Sequence, residues 1–167
     1  MAKYSTYWSS ISMVAQANDL LTSANGYVAV RNGTSSMQIK VSEVYLGGEA
    51  ASTSAPSIII LDRSSAVSVG ALSFTAGGTN LTDATATAPA TLPAGGQTAA
   101  TTQSTRSSAT QVLHLSFNAY GGIVRWVASP DQAITIYGNT VGGELNLSAF
   151  TGSTTATNSG HILYEVV

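Results

Sequence analysis

The sequence predicts an all-β fold: an antiparallel β-sandwich of jelly-roll type, about eight strands in a single domain. Three observations predict it. Apolar residues recur with period two in short blocks, turn residues close those blocks, and no long stretch carries the period of an amphipathic helix. Even spacing of such blocks is the pattern of sandwiches and jelly rolls.

Taken in order, residues 1–10 precede the periodic blocks and read as an interacting N-terminal segment. Tyr4, Tyr7 and Trp8 are its exposed anchors, because aromatic residues are enriched at interfaces. Residues 15–21 hold at most one helical turn, since the Ser/Thr-rich and β-branched flanks do not extend it. Asn32-Gly33 separates residues 27–31 from 37–44 and is the strongest short hairpin signal in the chain. Ile39 and Val41 face one way while Val44 and Leu46 are out of phase with them, which predicts a bulge between. Ser57-Ile58-Ile59-Ile60-Leu61 is apolar on both faces, as a strand covered on both sides would be.

The later blocks are cleaner. Leu113, Leu115 and Phe117 share one face, with His114 and Ser116 on the other. From Leu115 the chain reads as a strand, a turn at Gly121-Gly122, and a second strand carrying Arg125-Trp126 up to Pro130-Asp131, a hairpin. Arg125 shares a face with Ile123 and Val127, so it is either a paired arginine whose stem covers core or an interface residue. Leu145 and Leu147 face inward, and Ile162, Tyr164 and Val166 fall together. Tyr45 and Tyr164 alternate with core positions and read as packed.

One tract breaks the pattern. Residues 79–110 are Thr, Ala, Ser and Gln with Pro89, Pro93 and Gly95-Gly96, and they hold only two charges, Asp83 and Arg106. This composition predicts a long Ser/Thr/Ala-rich loop. A loop of that length in a compact domain is normally functional or disordered. With so little of its own to bury, it would take its order from a neighbouring surface, and Arg106 becomes an interface residue.

Composition narrows the function. Only 8% of the 167 residues are charged, against roughly 25% in ordinary soluble domains. A formal net charge of −2 offers no clustered cation surplus for nucleic acid. No apolar run reaches the length of a membrane-spanning helix, and the first residues lack the apolar stretch of a secretory signal, so synthesis in the cytoplasm is expected. Zero Cys removes disulfides, thiol nucleophiles and cysteine-ligated metals.

Chemistry-bearing motifs are scarce. His114 and His161 each alternate outward from an apolar strand, with no second histidine or carboxylate at ligand spacing. No nucleophile elbow, phosphate loop or HExxH is present, and no spacing among the carboxylates singles out an acid–base pair. The expectation is a non-enzyme without cofactor. Asn80, Thr82 and Asp83 form only a loose set of oxygens for a hard cation. The Asn-X-Ser/Thr matches at Asn32, Asn80 and Asn146 read as turn and strand chemistry.

The segment from Leu115 to Asp131, the block Ile134-Thr135-Ile136-Tyr137 and the closing strand Gly160–Glu165 resemble small jelly-roll virion proteins of tailed bacteriophages, as do residues 39–46 and 58–63. These are cement or decoration proteins on the capsid exterior. The resemblance implies a structural role on the outside of a virion assembled in the host cytoplasm. It also implies the major capsid protein as partner, a homotrimer, and Tyr4, Tyr7, Trp8, Arg106, Arg125 and Trp126 as interface residues. The alternative is a jelly-roll carbohydrate- or receptor-binding module using Tyr120, Trp126 and Asn139. A major shell subunit fits less well, because the chain is short and lacks a basic arm.

Overall fold

The computed structural model describes residues 3–15, 19–20, 28–31, 38–49, 55–63, 73–75, 79–80, 94–97, 105–106, 110–137, 144–150 and 156–167. Among them there is no α-helix. Eight principal strands carry the fold: β1 (Lys3–Met13), β3 (Val28–Arg31), β4 (Gln38–Gly48), β5 (Pro56–Arg63), β10 (Gln111–Asn118), β11 (Ile123–Val127), β13 (Glu144–Ala149) and β14 (Ala156–Val166). Short additions are β2 (Asp19–Leu20), β6 (Ser73–Thr75), β7 (Thr79–Asn80), β8 (Ala94–Gln97), β9 (Thr105–Arg106) and β12 (Ile134–Tyr137).

The first sheet runs β11-β4-β14-β1-β7, with β12 following β11 along the same side of β4. The second runs β10-β5-β13-β3-β8-β6, and β2 pairs with β9 separately. Every pairing is antiparallel. Among the eight principal strands the first pairs with the last (β1–β14), the second with the seventh (β3–β13), the third with the sixth (β4–β11) and the fourth with the fifth (β5–β10). That is a long hairpin rolled up on itself, the jelly-roll topology.

The rolling explains where local hairpin signals mislead. Residues 28–31 and 38–48 flank Asn32-Gly33 but lie in different sheets, β3 beside β13 and β8, β4 beside β14 and β11. Asn32-Gly33 itself lies outside the described residues. Likewise β10 and β11 are no hairpin: β10 bonds to β5 and β11 to β4. The turn between them crosses from sheet to sheet, with Gly121 at a φ of 67°. Asn118 anchors this corner, its Oδ1 accepting from the Ala55 N–H at 3.1 Å and the Tyr120 N–H at 2.9 Å.

The N-terminal reading is also corrected. Residues 3–13 are not a free arm but a strand inside the first sheet, between β14 and β7. Tyr4 and Trp8 point inward and are buried. Tyr4 stacks on Tyr164 with centroids 5.7 Å apart, and Trp8 Nε1 donates to Asn158 Oδ1 at 3.1 Å. Burying so much aromatic surface outweighs any gain from displaying it. A bulge at Ser9-Ser10, with Ser10 at a φ of 54°, then returns Ile11 and Met13 to the core.

The bulge expected in β4 is present: Glu43 pairs with Leu163 and Val41 with Tyr164, leaving Ser42 over. Ile39, Val41, Val44 and Leu46 all reach the core as a result, facing Ile59, Leu61, Leu145 and Leu147 of the second sheet. Tyr164 is fully buried as read, whereas Tyr45 lies on the outer side of the first sheet. Trp126 faces inward too, partly buried against the core.

The two outer faces differ. Ile60, Asp62, Glu144, Asn146 and Ser148 alternate with core residues, so they point away from the interior, yet each is 0% exposed. The second sheet is therefore covered on both sides along β5 and β13, as the Ile-rich block predicts. The tract 79–110 contributes β7 to the first sheet, β8 to the second, and β9. The rest of it, apart from Thr110, lies outside the described residues.

Candidate interaction face

The outer side of the first sheet is the open one. Strand registers order its side chains into rows across the sheet. One row reads Arg125, Tyr45, His161, Tyr7; the next Val127, Glu43, Leu163, Ser5; and beyond the β4 bulge, Thr135, Lys40, Glu165, Lys3. Ile123 opposite Gly47 precedes these rows, and Tyr137 opposite Gln38 follows them. Four of the exposed large apolar residues, Tyr7, Ile123, Val127 and Tyr137, belong to this face, led by Tyr7 at 68% and Ile123 at 66%.

Polar groups fix the centre of the face. Arg125 grips Glu43 with two hydrogen bonds, Nε to Oε1 at 2.9 Å and Nη2 to Oε2 at 2.8 Å. This is the bidentate geometry that makes an Arg–carboxylate pair directional. His161 Nε2 lies 3.4 Å from the same Oε1, and its ring stacks on Tyr45 at 5.1 Å with planes 8° apart. The Arg125 hydrogen bonds hold the Glu43 carboxyl below its ordinary value of 4.5 against the opposing effect of desolvation, with His161 helping. Glu43 in turn raises the Arg125 guanidinium. Arg125 is thus a paired arginine, but on the outer face and with its side chain 59% exposed, not a stem laid over core.

A second polar cluster edges the face at the β1 bulge. Ser10 Oγ donates to Glu49 Oε2 at 2.9 Å, Ser159 Oγ donates to the other carboxylate oxygen, and the Ser10 N–H donates to Ser159 Oγ at 3.0 Å. These hydroxyls, Ser159 first, lower the Glu49 carboxyl. They also support the left-handed backbone of Ser10, a conformation costly for a residue with a Cβ.

Beside the bulge of β4 the face is hollowed into a groove of about 480 Å³. Lys3, Lys40, Ser42, Glu43, Leu163 and Glu165 form its floor, and the turn from Val127 to Ala133 forms its wall. The gap between β11 and β12 creates it. Ala128 N–H donates to the Ser42 carbonyl at 2.8 Å and the chain then loops out before β12 rejoins β4.

Of the six residues expected at an interface, the structure brings two together: Tyr7 and Arg125 are the two ends of one row. Tyr4, Trp8 and Trp126 belong to the interior. Arg106 lies opposite Asp19 in the β2–β9 pair, and its side chain lies outside the described residues. Reading the sequence alone missed Glu43, Tyr45 and His161 as members of this face. Their alternation against Val44, Leu46 and Ile162 is a usable signal, but only once β4 and β14 are known to be neighbours. Among the described residues, no group of three His, Cys, Asp or Glu could hold a metal ion. The loose set at Asn80, Thr82 and Asp83 lies outside the described side chains, and so does Asn139. Comparison of the chain with protein-family models, with curated proteins and with solved structures gives no match.

Proposed function

We propose that this chain is a structural virion protein that docks on the outside of a phage capsid through the outer face of its first sheet, cementing neighbouring capsomers. The observation that carries this reading is the asymmetry of the sandwich. One outer face is closed along β5 and β13, while the other displays Tyr7, Ile123, Val127 and Tyr137 around a fixed Arg125–Glu43 pair. Exposed apolar groups gathered on one face around polar anchors mark interaction surfaces. A rigid antiparallel frame loses little conformational entropy when such a face is covered. The low charge of the chain fits a surface that meets another protein, since charged residues are depleted at interface centres.

The carbohydrate- or receptor-binding reading through Tyr120, Trp126 and Asn139 has less support. Tyr120 is exposed at the β10–β11 corner, but Trp126 turns inward. Quantitative mass spectrometry of purified virions tests the structural role. A cement protein is present at hundreds of copies per particle and pellets with empty capsids when added back. A few tens of copies, or no pelleting, would rule the role out.

A further inference from the structure

The edges of the two sheets are unequal. β10 ends the second sheet and runs for eight residues, beside the five-residue β11 that ends the first. At their other ends the sheets close with β7 and β6, of two and three residues. Among the described residues β5 is the only strand that pairs with β10, and no backbone hydrogen bond outside that ladder reaches residues 112–117. Edge strands are ordinarily blunted by charge, proline, bulges or shortness. β10 has no charged residue and no proline, and its register is regular from Leu113 to Asn118. The core is also unfinished here. Five large apolar residues pack against it while only partly buried, and four of them, Leu113, Phe117, Val124 and Trp126, stand on β10 and β11.

We propose that β10 pairs antiparallel with β10 of a second copy about a two-fold axis, joining the second sheets of two chains into one. Three features select a second copy. The inward set Leu113, Leu115 and Phe117 is symmetric about Leu115, so a reversed copy lays Leu113 against Phe117 and Leu115 against its own counterpart. The same register sets exposed His114 against Ser116 on the other side, polar against polar. No charge meets its like, because β10 has none and Arg125 on the neighbouring edge is held by Glu43. Such an isologous contact pairs the open backbone groups of both strands and covers their half-buried side chains at once. The edge lies off the outer face of the first sheet, so pairing and capsid docking do not compete. The inference goes beyond docking, does not depend on it, and puts a dimer in place of the homotrimer that the resemblance implies.

The test is analytical ultracentrifugation of the isolated chain from low to high micromolar concentration, together with amide hydrogen exchange. The native chain should reach twice its 17.0 kDa mass. Those amides of residues 112–117 that point away from β5 should then exchange at least about tenfold more slowly than in the dilute monomer, since exchange reports local opening. The double variant His114→Lys, Ser116→Lys sets lysines against each other across the axis and should stay monomeric with native circular dichroism, both positions being exposed. A native chain that stays monomeric or forms trimers overturns the proposal, and so does a dimer whose β10 amides exchange as fast as the monomer's. A folded variant that dimerises as well as the native chain does the same. Because the native chain decides on its own, a variant that failed to fold would not rescue the proposal.

Discussion

At Gly160 the first sheet leaves no room for a methyl group. A Cβ there would lie 2.2 Å from the Tyr45 carbonyl oxygen and 2.5 Å from the Trp8 ring, which is laid across the glycine from the opposing strand. Backbone on one side and a packed indole on the other cannot both yield, so Gly160→Ala should destabilise the chain by about 2 kcal/mol, within the range for overpacking. Urea unfolding measures it. Glu43 makes a second residue-level claim. Its carboxyl is held below 4.5 by Arg125, so its contribution to stability is fully present above that pH and is lost as pH falls through the depressed folded value. The urea midpoint should fall on acidification below 4.5, and Glu43→Gln should show a smaller fall than the native chain. An equal acid dependence in both chains would contradict the pairing.

At the scale of elements, much of the fold can be read from alternation. The inward sets of β10, β13 and β14, the phase slip in β4 and the doubly covered β5 all follow from which residues are apolar and at what spacing. What local pattern cannot convey is which strands are neighbours. Asn32-Gly33 suits a tight hairpin, yet β3 and β4 part into different sheets because each finds a longer partner far along the chain. Residues 3–13 alternate as Tyr4, Thr6, Trp8, then Ile11 and Met13, and the extra residue at Ser10 hides the period. The interaction face suffered most from this, since its central row joins four strands distant in sequence. The contrast between faces yields an element-level test with one residue type. Ile60→Ala, on the covered side of β5, should cost about 2–5 kcal/mol, the range for deleting a buried branched side chain. Ile123→Ala, on the open side of β11, should stay within about 0.5 kcal/mol of the native chain, as exposed substitutions do. Similar urea midpoints for the two variants would mean that the faces are not different.

For the whole molecule, the rolled hairpin places one insertion at its tip. The tract between β5 and β10 interrupts the only principal pair that follows directly in sequence, and its short strands extend the far edges of both sheets through β7 and β8. The sandwich thus has one outer face buried along β5 and β13 and one turned outward, and the account of function rests on that difference. The most direct measurement is co-sedimentation of the purified chain with capsids lacking it, comparing the native chain with the double variant Tyr7→Lys, Ile123→Lys. Both substitutions lie on exposed positions of this face and leave the Arg125–Glu43 pair intact, so the variant should keep its β-sheet circular dichroism. The native chain should pellet with capsids and the folded variant should stay in the supernatant. Equal pelleting of the two, or a native chain that never pellets, would contradict the claim that this face holds the protein on a virion.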